Sequence, residues 1–362
     1  MFSDWCSIIV RANNNCIAKG IALFNRNYRV FLLIIFSAAL LFISVVHANQ
    51  NEHESVVLEV YTLMRENVIT RDEIDWLALK VSTLQILGDS PTLQERNEAI
   101  SHLLIQTKTN HSFYRDADSD RIIYESVLNC RVDVETLHPT KTDIGYIKVD
   151  SFSSSDKEMM TIFAQSIADQ LKKEDERELK GWIVDLTHNS GGNMWPMLAG
   201  LSPLLGNGVH GFFISPDGKS ISWGTHHGRS ISGNHIRASL KQRYRVKNND
   251  IPIAVLVSKK TASSGEAVLI SFKGFKKSRF FGQHSCGQST SNRRFLLKNG
   301  DQLLLTTSTF ADRYKSRYGG SILVDELTES PLRAAEDWIY SQSNLKTCSF
   351  VSRHFYLENT LN

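Results

Sequence analysis

The chain has 362 residues, enough for one large domain or two smaller ones, and its 41% apolar and 22% charged residues describe a globular protein rather than a disordered one. A formal net charge of +3 excludes the electrostatic footprint of a nucleic-acid binder, and basic pairs such as Lys276-Lys277 and Arg293-Arg294 read as solvated faces.

The N-terminus carries the compartment signal. Val30 to Val46 is an apolar run of seventeen positions, preceded by Arg11, Lys19, Arg26 and Arg29. It ends in Val46-His47-Ala48, small residues at signal-peptidase spacing. Residues 1–48 therefore read as a cleaved signal peptide or, since the run just reaches the length of a membrane span, as a retained anchor. The positive flank precedes the run, so either reading exports the domain that follows, to the periplasm or the cell exterior.

Of five cysteines, Cys6 and Cys16 fall in this segment, leaving Cys130, Cys286 and Cys348. The odd number permits one bridge and one free thiol, and the pairing stays open. Their spacing matches no metal site. Cys286, two residues from His284, reads as a buried or bridged cysteine in preference to a nucleophile.

Residues 49–112 read as a helical cap. Val56, Val57, Val60, Tyr61, Met64 and Val68 recur at helical spacing, and capping boxes start at Thr70-x-x-Glu73 and Thr92-x-x-Glu95. The helix after Thr92 should end near Thr107. Residues 113–142 form a connector, residues 143–345 a core, and 346–362 a tail. In the core, strand-like runs at Ile144–Val149, Trp182–Val184 and Ile253–Val257 alternate with helices. One helix, capped by Ser155-x-x-Glu158, carries Met160, Phe163, Ile167 and Leu171 on one face, and others follow near 194–205, 263–275 and from Ser330-Pro331. Alternation of this kind indicates a layered α/β core. His226-His227 with His235, beside Gly228 and Gly233, reads as a hairpin loop and not as a metal site.

Two segments carry the chemistry. Thr261-Ala262-Ser263-Ser264-Gly265-Glu266 and Asp185-Leu186-Thr187-His188-Asn189-Ser190-Gly191-Gly192 each follow a strand and open a helical stretch. A serine at a strand-to-helix turn projects its hydroxyl into a cleft, and a Gly-Gly pair lets backbone N–H groups approach an anion. A nucleophile and an oxyanion hole are the parts an acyl-transfer site needs.

These paired motifs resemble those of the tail-specific (carboxyl-terminal-processing) serine peptidases. Gly191-Gly192-Asn193-Met194-Trp195-Pro196-Met197-Leu198-Ala199-Gly200 resembles more narrowly the branch that contains the nisin resistance protein. The likeness covers roughly residues 95 to 342. It implies an α/β (α+β layered) protease core of the ClpP/crotonase-like type under the helical cap. About 30 residues separate His111 from Ile144, too few for the PDZ domain that many members carry there.

The resemblance implies Ser263 as nucleophile. Most members place a lysine base 25 residues further on, but that position is Gln288 here, which cannot act as a base. The nisin-resistance branch uses a histidine at the end of the cap, which maps to His111; His284 and His188 are its rivals. The oxyanion hole would come from Gly191 or Gly192 with Ser264. Asp185 would support loop backbone. Glu266 would either orient the base or a substrate amine, or favour the helix dipole. The expected activity is cleavage of peptides or protein tails through a Ser-His dyad, without cofactor or metal, rising as a histidine deprotonates near pH 6 to 7. The rival expectation is an inactive peptide- or lipid-binding protein on the same fold.

Overall fold

The computed structural model describes residues 52–117, 122, 130–275 and 277–343. The N-terminal segment with its apolar run, the rest of residues 118–129, and the tail with Cys348 lie outside the described residues. Among the described residues, no helix is long and apolar enough to cross a membrane.

Helix α1 (52–67) buries Val56, Val57, Val60, Tyr61 and Met64, the stripe its periodicity predicts. The box expected at Thr70 does not form. Arg71–Glu73 is one 3-10 turn, and the Thr70 hydroxyl donates instead to the Thr107 carbonyl at 2.8 Å. The next helix, α2 (Trp76–Leu87), is capped by Asp75, whose carboxylate accepts the N–H groups of Leu77 and Ala78. A carboxylate directly before the apolar run is better placed than a threonine a turn away. Helix α3 (Leu93–Gln106) keeps its reciprocal Thr92–Glu95 box, with bonds of 3.3 and 2.8 Å.

The core has two sheets. One is wholly parallel, in the order β12 (Glu326–Leu327), β9 (Ser278–Gly282), β8 (Ile253–Val257), β3 (Gly181–Asp185), β2 (Ile144–Lys148). Strands β3 and β8 are buried at every position, as their unbroken apolar runs require. The other sheet, unforeseen in the sequence, is antiparallel throughout. Its order is β1 (Phe113–Arg115), β11 (Gln302–Asp312), β4 (Gly208–Ile214), β5 (Ser220–Thr225), β6 (Arg229–Ser232), β7 (His235–Ser239), with β10 (Thr290–Leu296) also on β11. His226 to Gly228 form the expected turn between β5 and β6.

Helices α4 (Lys157–Glu174), α5 (Met194–Leu205) and α6 (Ser264–Ser271) pack with these sheets around one apolar core that includes Ile167, Leu171, Trp182, Val184, Met197, Leu201 and Val255. Helix α4 is capped by Asp156, one residue beyond the expected serine, because its carboxylate reaches the N–H groups of both Glu158 and Met159. The last helix, α7 (331–343), opens at Pro331 as expected. The cap shares a second apolar cluster with the antiparallel sheet: Val57, Met64, Ile100 and Leu104 pack with Tyr114, Leu297, Leu303 and Leu305. That cluster fixes the end of α3, and therefore His111, against β10 and β11.

Candidate active site

Ser263 sits between β8 and α6 with φ 52° and ψ −116°. A non-glycine residue adopts this sparsely populated conformation only where its surroundings enforce it, as at the strained strand-to-helix turn of a nucleophile elbow. Here the enforcement comes from the exit of β3. Thr261 Oγ1 donates to the Leu186 carbonyl at 2.8 Å, Ser258 Oγ to the Thr187 carbonyl at 2.6 Å, and the Ala262 N–H to the Asn189 carbonyl at 3.0 Å. The two sequence motifs are thus one hydrogen-bonded assembly.

The Gly-Gly pair lies against the serine. Gly191 and Gly192 have φ of 103° and 107°. A Cβ on Gly191 would lie 2.8 Å from both the Ala262 carbonyl oxygen and Ser263 Cβ, and one on Gly192 would lie 2.2 Å from the Phe152 carbonyl oxygen. Only glycine fits either place. The two are not equivalent as donors. The Gly191 N–H donates to Asn189 Oδ1 at 3.0 Å, whereas Ser264 Oγ donates to the Gly192 carbonyl at 2.6 Å. The N–H groups of Gly192 and of Ser264, the first residue of α6, have no partner among the described residues.

Glu266 is fully buried one turn into α6. One carboxylate oxygen accepts the Ser263 N–H at 2.8 Å; the other accepts Ser285 Oγ at 2.6 Å and the Gly287 N–H at 3.0 Å. Burial pushes its pKa up to about 7, against hydrogen bonds that favour the ionised form. It binds the serine turn to segment 285–287, a role beyond a favourable helix dipole. Asp185 is also buried and accepts Thr187 N–H at 2.8 Å, Thr187 Oγ1 at 2.6 Å and Tyr146 OH, which shapes the loop before the glycines.

His111 reaches the same neighbourhood from the cap. Its Nδ1 lies 2.9 Å from Thr290 Oγ1, Asn292 Nδ2 donates to its carbonyl at 2.6 Å, and Gln288 Nε2 donates to the Asn110 carbonyl at 3.2 Å. Gln288, at the position of the missing lysine, holds the histidine loop in place. Burial lowers the His111 pKa to about 4. No hydrogen bond joins His111 to Ser263; the two are linked through Glu266 and segment 287–290. The rival histidines are committed elsewhere. His188 Nε2 contacts the Val134 carbonyl at 3.0 Å, and His284 Nδ1 accepts the Val324 N–H at 3.2 Å. Among the described residues no group of three or more histidine, cysteine or acidic side chains is placed to hold a metal.

Sequence reasoning missed Asn189, Thr290 and Asn292. Asn189 lay inside a quoted motif without a role. Thr290 and Asn292 lie 179 and 181 residues from His111, and no local pattern pairs them with it. The open cysteine pairing is resolved: Cys130 and Cys286 form a disulfide.

A serine on a strained strand-to-helix turn thus lies beside glycine backbone and a helix N-terminus, on a layered α/β core. Residues 143–321 match peptidase family S41. The chain is 27% identical over 283 residues to the nisin-resistance protein of Lactococcus lactis subsp. lactis, covering 77% of this chain and 84% of that one. Its structure is similar to that of a lipoprotein from Streptococcus agalactiae, with a TM-score of 0.65, 26% identity, and 80% and 96% of the two chains covered. It shares its fold with a photosystem II D1 C-terminal processing protease, with a TM-score of 0.51, 11% identity, and 76% and 93% covered.

Proposed function

We propose that the protein is an exported serine peptidase that cleaves peptides or protein tails through a Ser263–His111 dyad and an acyl-enzyme. Ser263 Oγ attacks the scissile carbonyl, and His111 Nε2 takes the proton and returns it to the leaving amine. For Nε2 to act as base, Nδ1 must carry the ring proton, and Thr290 Oγ1, 2.9 Å from Nδ1, is placed to accept it. The N–H groups of Gly192 and Ser264 hold the oxyanion. The observation that carries the reading is the serine elbow packed against Gly191, with two free N–H groups beside it.

Export draws support from the apolar run at Val30 to Val46, from a lipoprotein among the similar structures, and from the disulfide, which belongs in an oxidising compartment. The substrate is a peptide or protein, and the N-terminal segment is available as a membrane anchor. Because His111 comes from the cap and Ser263 from the core, substrate in the cleft between them would bring the dyad into contact.

The test is labelling by a fluorophosphonate probe in the wild type, Ser263→Ala, His111→Ala and His284→Ala. Loss in the first two variants with retention in the third is expected. A folded wild type that never labels would reject the peptidase in favour of a binding protein.

A further inference from the structure

The loop after β3, the serine turn after β8 and segment 284–288 after β9 leave the sheet at the same edge, since these strands are parallel. In open parallel sheets this carboxyl edge is where ligands bind. The described part of the connector touches that edge twice. Cys130 is bonded to Cys286, beyond the end of β9, and the Val134 carbonyl meets His188 Nε2, beyond the end of β3. Between them the chain is extended in character: Cys130, Val132 and Val134 are partly buried, and Arg131, Asp133 and Glu135 are exposed.

Strand order decides what this segment crosses. β8 lies between β9 and β3, so two strand spacings, about 10 Å, separate the strands on which the pins stand. Four extended residues reach about 13 Å. The segment from 130 to 134 is therefore long enough to span the exit of β8, where loop 258–262 leads into Ser263.

We propose that residues 130–134 form a strap that walls one side of the substrate cleft, and that the Cys130–Cys286 disulfide is its thiol-sensitive latch. This rests on the peptidase reading above and concerns access to the site, not its chemistry. The two sides of the latch differ in how they are held: the strap keeps the Val134 contact to His188 at its far end, and the covalent pin at Cys130 is what ties its near end to segment 285–287. Segment 285–287 keeps its own bonds when the bridge opens: Cys286 N–H to the Thr261 carbonyl at 2.8 Å, Ser285 N–H to the Ile322 carbonyl at 3.2 Å, Ile322 N–H to Ser285 Oγ at 2.7 Å, and the two bonds to Glu266. The strap loses its covalent pin. A dithiol such as dithiothreitol opens the latch by supplying two electrons and two protons: the sulfur–sulfur bond breaks, two protein thiols form, and the reagent closes to its own disulfide. Opening should thus free the strap and leave the serine turn intact.

The experiment compares the full chain, oxidised and after dithiothreitol, with Cys130→Ser, which leaves the buried Cys286 in place. Three quantities are read: hydrogen exchange over 130–142, the labelling rate of Ser263 by a small fluorophosphonate, and cleavage of an unfolded polypeptide such as reduced casein. Reduction and Cys130→Ser are both expected to raise exchange in 130–142 and casein cleavage several-fold, with labelling unchanged. Exchange that stays constant on reduction would overturn the strap, and labelling that falls in step with casein cleavage would show the bridge supporting the serine turn instead. If the oxidised wild type does not label at all, the peptidase reading fails and exchange over 130–142 still decides whether the latch exists.

Discussion

The backbone N–H of Ser263 donates to the carboxylate of Glu266 at 2.8 Å, so the residue that fixes the Ser263 backbone is itself held by Ser285 and Gly287 on the neighbouring segment. All three donors are spent on an acceptor without a cation beside it. Glu266→Gln keeps the shape but turns an amide nitrogen toward one of these donors. A buried donor left unpaired costs about 1–3 kcal/mol. The variant should melt at a lower temperature than wild type near pH 6 and label more slowly, and thermal unfolding with labelling kinetics checks both.

The two titrating groups move in opposite directions. Burial lowers His111 to about 4, below its ordinary 6.5, so the acid limb of kcat/KM should fall near pH 4 rather than near pH 6 to 7. For stability the sign follows from which state holds more protons. The His111 contribution is complete above pH 6.5 and is lost as pH falls toward 4. The Glu266 pKa is raised from 4.5 to about 7, so its contribution is complete below pH 4.5 and is lost as pH rises through 7. Denaturant unfolding between pH 5 and 8 should show the wild type losing stability relative to Glu266→Gln as pH rises. Parallel curves would contradict the shift.

Strain at the elbow has its own signature. At φ 52° and ψ −116°, Ser263 carries a conformational cost of about 1–3 kcal/mol that glycine avoids. Ser263→Gly should be more stable than Ser263→Ala by an amount in that range, with both inactive. Equal stability in urea would mean the elbow is unstrained.

Gly192→Ala would set a methyl group 2.2 Å from the Phe152 carbonyl oxygen and displace one of the two free N–H groups. Loss of one oxyanion donor lowers turnover by about 10²–10³. Turnover of a peptide or ester substrate should drop by that factor while the fold survives by circular dichroism. A mild effect would remove Gly192 from the oxyanion hole.

Thr290→Val removes the hydroxyl that faces His111 Nδ1 at 2.9 Å, the proposed acceptor of its ring proton. At about 1–2 kcal/mol for that bond, kcat/KM should fall roughly 5- to 30-fold. Thr290→Ser should restore most of the loss, which a purely structural role for the methyl group would not do.

What was legible in the sequence is what depends on neighbours along the chain. The two strand-to-helix turns, the amphipathic stripe of α1 and the Thr92 capping box each arise from residues a few positions apart, whose spacing is the interaction itself. Where two capping residues competed, at Thr70 against Asp75 and at Ser155 against Asp156, local pattern chose the wrong one, because the winner depended on which side chain reached two N–H groups.

Tertiary structure alone decided the remainder. The antiparallel sheet arises from pairings between distant strands, and its exposed or mixed burial patterns leave no unbroken apolar run to read. Gly191 and Gly192 are adjacent in sequence, yet only the position of Asn189 separates a committed N–H from a free one. His111 meets Thr290 across 179 residues and Cys130 meets Cys286 across 156. Such contacts form because sheet order and the shared apolar cluster bring distant segments together, and a one-dimensional pattern has no means of encoding that distance.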